Sequence, residues 1–391
     1  MKIAMVLMRA NPLTALRDQD VTGQSLHVAK LSEALRLQGH DLTIYTRRTE
    51  ARLPDRMRVA DGLEVVQVPA GPARQLDVTP HVGEFARSLQ DLWSSDVPDL
   101  IHAHHWTSGL AAVLGARHSG IPVVQSYHTL QGGDSTAHER LVGRAATCVI
   151  ATSGHETNEL ARLGVRRSKI SAVPWGVDLQ TFTPNGPSAP RNGMPRILTV
   201  GGLAPHDGVD DLIGALTTVS WTELVIAGGP SSSRPDANLV RLRELADRCG
   251  VAHRVTFLGR VPHADVPPLI RSADVVACPQ RHEPFGIVPI EAMACGVPVV
   301  ATAVGGLAET VVHGVTGLHV PPREPAALGR ALRSLLANDV RRQEMSCAAE
   351  DRARVRYDWQ RIALEMDLAY QRVGGPAAGR TAGREVIASV R

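Results

Sequence analysis

Short apolar runs alternate with helix-period segments along almost the whole chain, and that alternation restricts the fold more than any other feature. KIAMVLM, DLTIYT, LEVVQVP, DLIHAH, PVVQSYH and TCVIATS read as strands, and RILTVGG, ELVIAGG, RVTFLGR, DVVACP and PVVATAV repeat the pattern further on. Most are followed by a turn and an amphipathic stretch. In Ser25–Gly39, residues Leu26, Ala29, Leu31, Ala34, Leu35 and Leu37 fall largely on one face, and Gly39 supplies the stop. Strands of this kind, joined through helices, predict doubly wound α/β structure: parallel sheets covered by helices on both sides.

At 391 residues the chain exceeds the size at which one core keeps growing, so two domains are expected. TFTPNGPSAPRNGMP, residues 181–195, interrupts the alternation with prolines and glycines and reads as the linker. The predicted domains span residues 1–185 and 195–355, and the Gly/Ala/Pro-rich start of residues 374–391 predicts a mobile tail. Ligands of parallel sheets sit beyond the carboxyl ends of the strands, so two such domains facing each other would enclose a cleft.

The charge balance, 42 basic against 39 acidic residues, is too even to imply a nucleic-acid or membrane partner. Cys148, Cys249, Cys278, Cys295 and Cys347 form no C-x-x-C pair, which argues against a structural metal and for a reducing compartment. MKIAMVLMRANP has too short an apolar run for a signal peptide, and no stretch approaches the ~20 apolar residues of a membrane span. A cytoplasmic protein is expected, with small-molecule partners and no integral membrane contact; the sequence allows a homodimer without requiring one.

The richest stretch for chemistry is HEPFGIVPIEAMACGVPVVATAVGG, residues 282–306. It leaves the strand DVVACPQ, turns at Gly286, and starts a helix with Pro289 in its first turn. The free N–H groups of Ile287 and Val288 suit a phosphate. Glu283 and Glu291 do not share a helical face, so they would meet different parts of one extended ligand. On physics alone this competes evenly with a dipole-favoured carboxylate plus an exposed helix glutamate. His104 and His105, in HAHH, divide evenly between function and structure, and no acidic or cysteine neighbours suggest a metal site.

The same stretch strongly resembles the E-x(7)-E donor segment of family 4 retaining glycosyltransferases, which have the GT-B fold of two Rossmann-like domains. GQSLHVAKLSEALRLQGHDLTIYTRR resembles the N-terminal loop and helix of the sucrose-phosphate-synthase-like and mycothiol-glycosyltransferase-like branches. IHAHHWTSGLAA, PVVQSYHTL, VIATSGHETNEL, VPWGVDLQTFTP and GVTGLHVPPREP match further family blocks in order. The resemblance implies a nucleoside diphosphate sugar as donor substrate and no cofactor. It places Glu283 on donor sugar hydroxyls with the N–H groups of Phe285 and Gly286, Ile287 and Val288 on the diphosphate, and Glu291 on the ribose. His128 matches the active-site histidine over the reacting sugar, Gly23 the loop that approaches phosphates or acceptor, and Arg260 and Val261 the nucleobase loop. Residues 356–373 resemble the helix that crosses back to the N-terminal domain.

Two departures stand out. Where the family reads G-R-L-x-x-x-K-G, this chain reads VGGLAPHDG, so Gly202 and Asp207 replace the arginine and lysine that neutralise the diphosphate. Losing one buried charge partner commonly costs ~2–5 kcal/mol; Arg281 is the nearest substitute in sequence. On the acceptor side, where Trp106 and Thr129 also fall, Val78 and His105 stand at the lysine and tyrosine positions of the mycothiol branch, so an inositol-phosphate acceptor is not expected. The resulting expectation is a metal-independent retaining glycosyltransferase with a small polar acceptor, by analogy one of specialised metabolism such as an antibiotic precursor or a thiol. The competing expectation is a catalytically silent sugar-nucleotide-binding or regulatory protein. A nicotinamide oxidoreductase ranks third, because VGGLAPHDG lacks the G-x-G-x-x-G spacing.

Overall fold

The computed structural model describes residues 1–9, 12, 23–50, 52–72, 77–229, 236–283 and 285–374. The tail from 375 onward, and Thr22 beside Gly23, lie outside the described residues. The chain divides into two compact units, Met1–Gly176 with Trp359–Arg391, and Val177–Asp358.

The first unit is built on eight strands: β1 (Lys2–Leu7), β2 (Asp41–Arg47), β3 (Arg56–Ala60), β4 (Leu63–Val68), β5 (Leu100–His104), β6 (Val123–Ser126), β7 (Cys148–Ala151) and β8 (Ile170–Ala172). Their order is β3-β4-β2-β1-β5-β6-β7-β8, parallel throughout except for the β3–β4 edge. Successive residues of a strand point to opposite faces, and both faces here are covered. Ile3, Met5 and Leu7 pack with Leu31, Leu35, Ile362 and Met366 of the helices Gly23–Leu37 and Trp359–Gly374. Ala4 and Val6 pack with Phe85, Leu89 and Trp93 of the helix Val82–Ser95. Burial on both sides is why KIAMVL reads as continuously apolar rather than alternating.

The second unit carries β9 (Arg196–Val200), β10 (Glu223–Ala227), β11 (Val255–Gly259), β12 (Val275–Cys278), β13 (Val299–Thr302) and β14 (Gly317–Val320). All neighbours are parallel, in the order β11-β10-β9-β12-β13-β14. In each sheet the first strand lies inside, and the chain winds to one side of it before returning to the other. The reversal leaves a switch point between β1 and β5 and another between β9 and β12, where ligand crevices form in such sheets.

Three strands were not expected. β3 (RMRVA) is an exposed edge strand whose charges conceal its period, β8 has only three residues, and β14 (GLHV) carries a glycine and a histidine in its four. Within Gly23–Leu37, Leu37 is 66% exposed instead of joining the buried face, and His27 is buried. The division of the chain falls at Val177, ahead of the Pro-rich segment. That segment is fastened to the second unit: Phe182 is buried, Ala189 N–H donates to Pro268 O (2.9 Å), and Arg271 and Arg196 donate to the carbonyls of Pro187 and Pro190 (both 2.7 Å). Prolines lack a donor but keep an acceptor, and here arginines use it. Among the described residues no helix is long and apolar enough to cross a membrane.

Candidate active site

At the switch point of the second unit, β9 ends in Gly201-Gly202 and β12 runs out into Gln280–Glu283. Gly228, after β10, has φ 152°, and a Cβ there would stand 1.7 Å from Gly201 O. Main chain therefore meets main chain at the floor of the site. Gly201, Gly202, Asp207, Asp236, Arg260 and Val261 line a cavity of about 560 Å³.

Gly202 and Asp207, the two positions expected to depart from the family pattern, are physically coupled. Asp207 Oδ2 accepts from Ala204 N–H at 2.8 Å, closing the turn Pro205–Asp207. A Cβ on Gly202 would lie 2.3 Å from that same oxygen. The carboxylate occupies the space a side chain at 202 would need. Arg281 does not present a loose cation in their place. Its Nη2 lies 3.1 Å from Asp210 and 3.0 Å from Asp211, and its Nη1 donates to Pro205 O at 2.6 Å. It can meet a diphosphate only by leaving these partners. Asp210 and Asp211 open the helix Val209–Leu216 and meet Arg281 from about 70 positions away in sequence.

Downstream, Gly286 takes a left-handed conformation (φ 70°, ψ 46°) as the N-cap of the helix Ile287–Ala294, with no side-chain cap among the described residues. The first-turn N–H groups of Ile287 and Val288 point out of the helix start, and Pro289 carries none. Glu283 Oε1 accepts from Phe285 N–H (3.1 Å) and Gly286 N–H (3.2 Å), the two groups expected beside it on the donor. Glu291 is buried, with Oε1 2.7 Å from Nε2 of His263. His263 follows Arg260 and Val261 in GRVPHAD, and its partnership with a carboxylate 28 positions away left no sequence signal.

At the switch point of the first unit, histidines gather at the strand exits. His104 ends β5 and pairs in register with Ser126 of β6. The chain then turns at His105 (φ 75°) and at His128 (φ 64°), a conformation costly for a side chain larger than glycine and frequent where function demands it. His104 Nδ1 lies 2.9 Å from His128 Nε2, with the rings 23° apart. His27 stands edge-on to His128 and stacks on Trp175 at 4.5 Å. His102 holds Tyr370 Oη (2.6 Å) and Ser126 Oγ (2.9 Å). Burial, then the neighbouring imidazoles of His27 and His105, keeps the His128 ring well below the usual histidine range. These imidazoles are neutral.

His105 Nδ1 faces Thr107 Oγ1 at 3.0 Å, and Arg9 Nη1 lies 3.0 Å from its Nε2. Thr107 N–H donates to Nδ1 at 3.3 Å, the N-cap contact of the helix Trp106–Gly115. Burial, then the charge of Arg9, pushes His105 down to about 3. Of the other residues expected on the acceptor, Trp106 is buried, donates to Gln131 Oε1 (3.2 Å) and stacks on His138, while Thr129 is exposed. Val78 is buried in the apolar cluster of Val82 and Phe85. Gly23 begins its helix beside the Trp175 ring. No group of three His, Cys, Asp or Glu side chains among the described residues is placed to hold a metal ion.

Residues 21–181 match the family model described as Glycosyltransferase Family 4, and residues 186–352 the one described as Glycosyl transferases group 1. The D-inositol 3-phosphate glycosyltransferase of Xylanimonas cellulosilytica is 35% identical, over 93% of this chain and 95% of its own. Its counterpart in Jonesia denitrificans is 33% identical, over 97% and 98%. Among solved structures, sucrose-phosphate synthase from Thermosynechococcus elongatus matches with a TM-score of 0.84 at 27% identity, covering 95% of this chain and 99% of that one. Anabaena HepE in complex with UDP-glucose shares the fold, with a TM-score of 0.75 at 22% identity over 95% of this chain and 100% of that one. The chain belongs to the family 4 glycosyltransferases of the GT-B fold.

Proposed function

We propose that the protein moves a sugar, with retention and without a metal, from a nucleoside diphosphate sugar to a small polar acceptor. The observation that carries this reading is the uncapped helix start at Gly286 to Val288, set beside Glu283 at the exit of β12. Ile287 and Val288 N–H bind the diphosphate, Arg260 and Val261 the nucleobase, and Glu291 the ribose once His263 yields. The glycine exits at 201 and 202 give the donor close access to main chain. Glu283 and His128 hold sugar hydroxyls as the anomeric carbon gains positive character. The bond from that carbon to the diphosphate oxygen breaks as the acceptor's bond forms on the same face, and the departing oxygen takes the acceptor's proton. No enzymic base is then required.

The curated relatives act on D-inositol 3-phosphate. We propose a different acceptor for this chain. The core position of Val78 and the Arg9-bound imidazole of His105 support that reading, leaving Gly23, His105, Trp106 and Thr129 as the acceptor-side positions. Small polar metabolites of specialised biosynthesis fit such a setting. Calorimetry with a panel of nucleoside diphosphates, with and without chelator, tests the donor half. Saturable binding that survives chelator is expected. Binding abolished by chelator removes metal independence, and no binding of any nucleoside diphosphate removes the donor assignment.

A further inference from the structure

Glu291 and His263 share a hydrogen bond in the second unit, yet the two side chains differ in how freely they can leave it. We propose that His263 is a latch on the ribose carboxylate: it holds Glu291 Oε1 until ribose hydroxyls replace it, and takes the oxygen back as the spent nucleoside diphosphate departs. The inference rests on the reading of Glu291 as the ribose residue given above.

Glu291 cannot move to meet a ligand. It lies in the helix Ile287–Ala294, whose residues from Pro289 to Ala294 are all buried, and its own side chain is 6% exposed. Ile290, Ala292 and Met293 around it belong to the apolar core of this unit. A carboxylate buried in that way needs a donor. His263 supplies it: an ionised carboxylate only accepts, so the Nε2 N–H donates, at 2.7 Å. Among the described residues this is the one side-chain hydrogen bond of Glu291.

His263 is placed differently. It opens the turn His263–Asp265 between exposed Pro262 and Ala264, and its side chain is 36% exposed, with the ring tilted against Phe182 at 5.2 Å. An imidazole so placed loses little on swinging into water. Arg260 and Val261, just before it in the chain, line the cavity of about 560 Å³, whereas Glu291 is not among the lining residues. A base seated on Arg260 and Val261 thus bears on the loop that carries the latch.

The exchange swaps one bond to a buried carboxylate for another, so it is close to balanced. Nucleotide binding is weakened because the ribose must displace a partner, and release is helped because the carboxylate has a partner to return to. Removing the histidine's donor removes the competitor and leaves the carboxylate short of a bond until ribose arrives.

The test uses the full chain with His263→Leu, which deletes the donor, and His263→Gln, which keeps one. Uridine, adenosine and guanosine diphosphates are titrated calorimetrically beside their 2′,3′-dideoxy counterparts. For the base that binds, the wild type should prefer the ribose form. His263→Leu should bind that form about five- to tenfold tighter while the dideoxy form stays within about twofold, and His263→Gln should remain near wild type. Nitrogen-15 NMR of the wild type needs no variant: the His263 side-chain signals should shift with the ribose form and far less with the dideoxy form. Ribose-form binding that is unchanged or weaker in His263→Leu overturns the proposal, because the histidine would then orient Glu291 instead of competing for it. His263 signals indifferent to the ribose form overturn it too. A wild type that binds both forms equally removes Glu291 from the ribose, and the latch falls with that reading.

Discussion

Returning the family's two cations, through Gly202→Arg with Asp207→Lys, should rebuild a conventional diphosphate site, and the structure says the changes must be made together. In Gly202→Arg alone, the new Cβ would stand 2.3 Å from Asp207 Oδ2, so the carboxylate must swing away from Ala204 N–H. That lost bond costs about 1 kcal/mol, and the displaced Asp207 then competes with any ligand for the new guanidinium. In the double variant a flexible lysine chain replaces the carboxylate held by Ala204 N–H, and the local charge rises by three. At an effective dielectric of ~20 and a separation of ~4 Å, each contact between unit charges is worth roughly 4 kcal/mol before desolvation and screening. Keeping a third of one such contact gives about tenfold in affinity. Calorimetric titration with nucleoside diphosphates at low and high salt is the assay. The double variant should bind at least about tenfold tighter and lose more of that affinity as salt is raised, while the single variant gains far less and melts earlier. Tight wild-type binding unchanged by the double substitution would refute this reasoning, and so would a single variant equal to the double.

Glu283→Gln and His128→Ala should each lower sugar transfer by about a hundredfold or more while leaving nucleoside diphosphate affinity within a few-fold, since both residues are assigned to the sugar. Equal losses in transfer rate and nucleotide affinity would show the assignment is wrong. Stability should also depend on pH in one direction. His27, His102 and His105 are each pushed down to about 3, first by burial and then by His102, His128 and Arg9 respectively. Unfolded histidines titrate near ~6.5, so between about 6.5 and 3 the unfolded chain binds more protons than the folded one. The stabilisation is complete above ~6.5 and declines as pH falls, by up to about 1.4 kcal/mol per histidine per pH unit. Urea midpoints should therefore drop from pH 7.5 to pH 5; a flat profile contradicts buried neutral imidazoles.

The strands of both sheets could be read from sequence because burial on two faces forces uninterrupted apolar runs, as in KIAMVL and PVVATAV. β3 escaped because an edge strand keeps its charges in water, and its arginines hid its period. The helix start at Gly286 was legible because a left-handed residue and a first-turn proline are local requirements. Partnerships across the sequence were not. Nothing in GRVPHAD announces that His263 meets Glu291, and nothing near Arg281 says that Asp210 and Asp211 hold it. His27 was hidden by an amphipathic pattern that counted only aliphatic residues, although it touches the His128 ring.

The floor of the second unit's cavity bears on how this site can change over evolutionary time. Where Gly228 passes Gly201, the space for even a methyl group is taken by a carbonyl oxygen, and the left-handed φ excludes other residues besides. A surface made of main chain cannot acquire a charge, lose a hydroxyl or change its length through a single codon change. Selection for a new donor must therefore act on the rim. Gly202 and Asp207 show how one rim position can limit another, since the carboxylate at 207 fills the space a side chain at 202 would need. A side chain at 202 has room only once the carboxylate at 207 has gone, so substitutions at this rim should follow an order, 207 before 202.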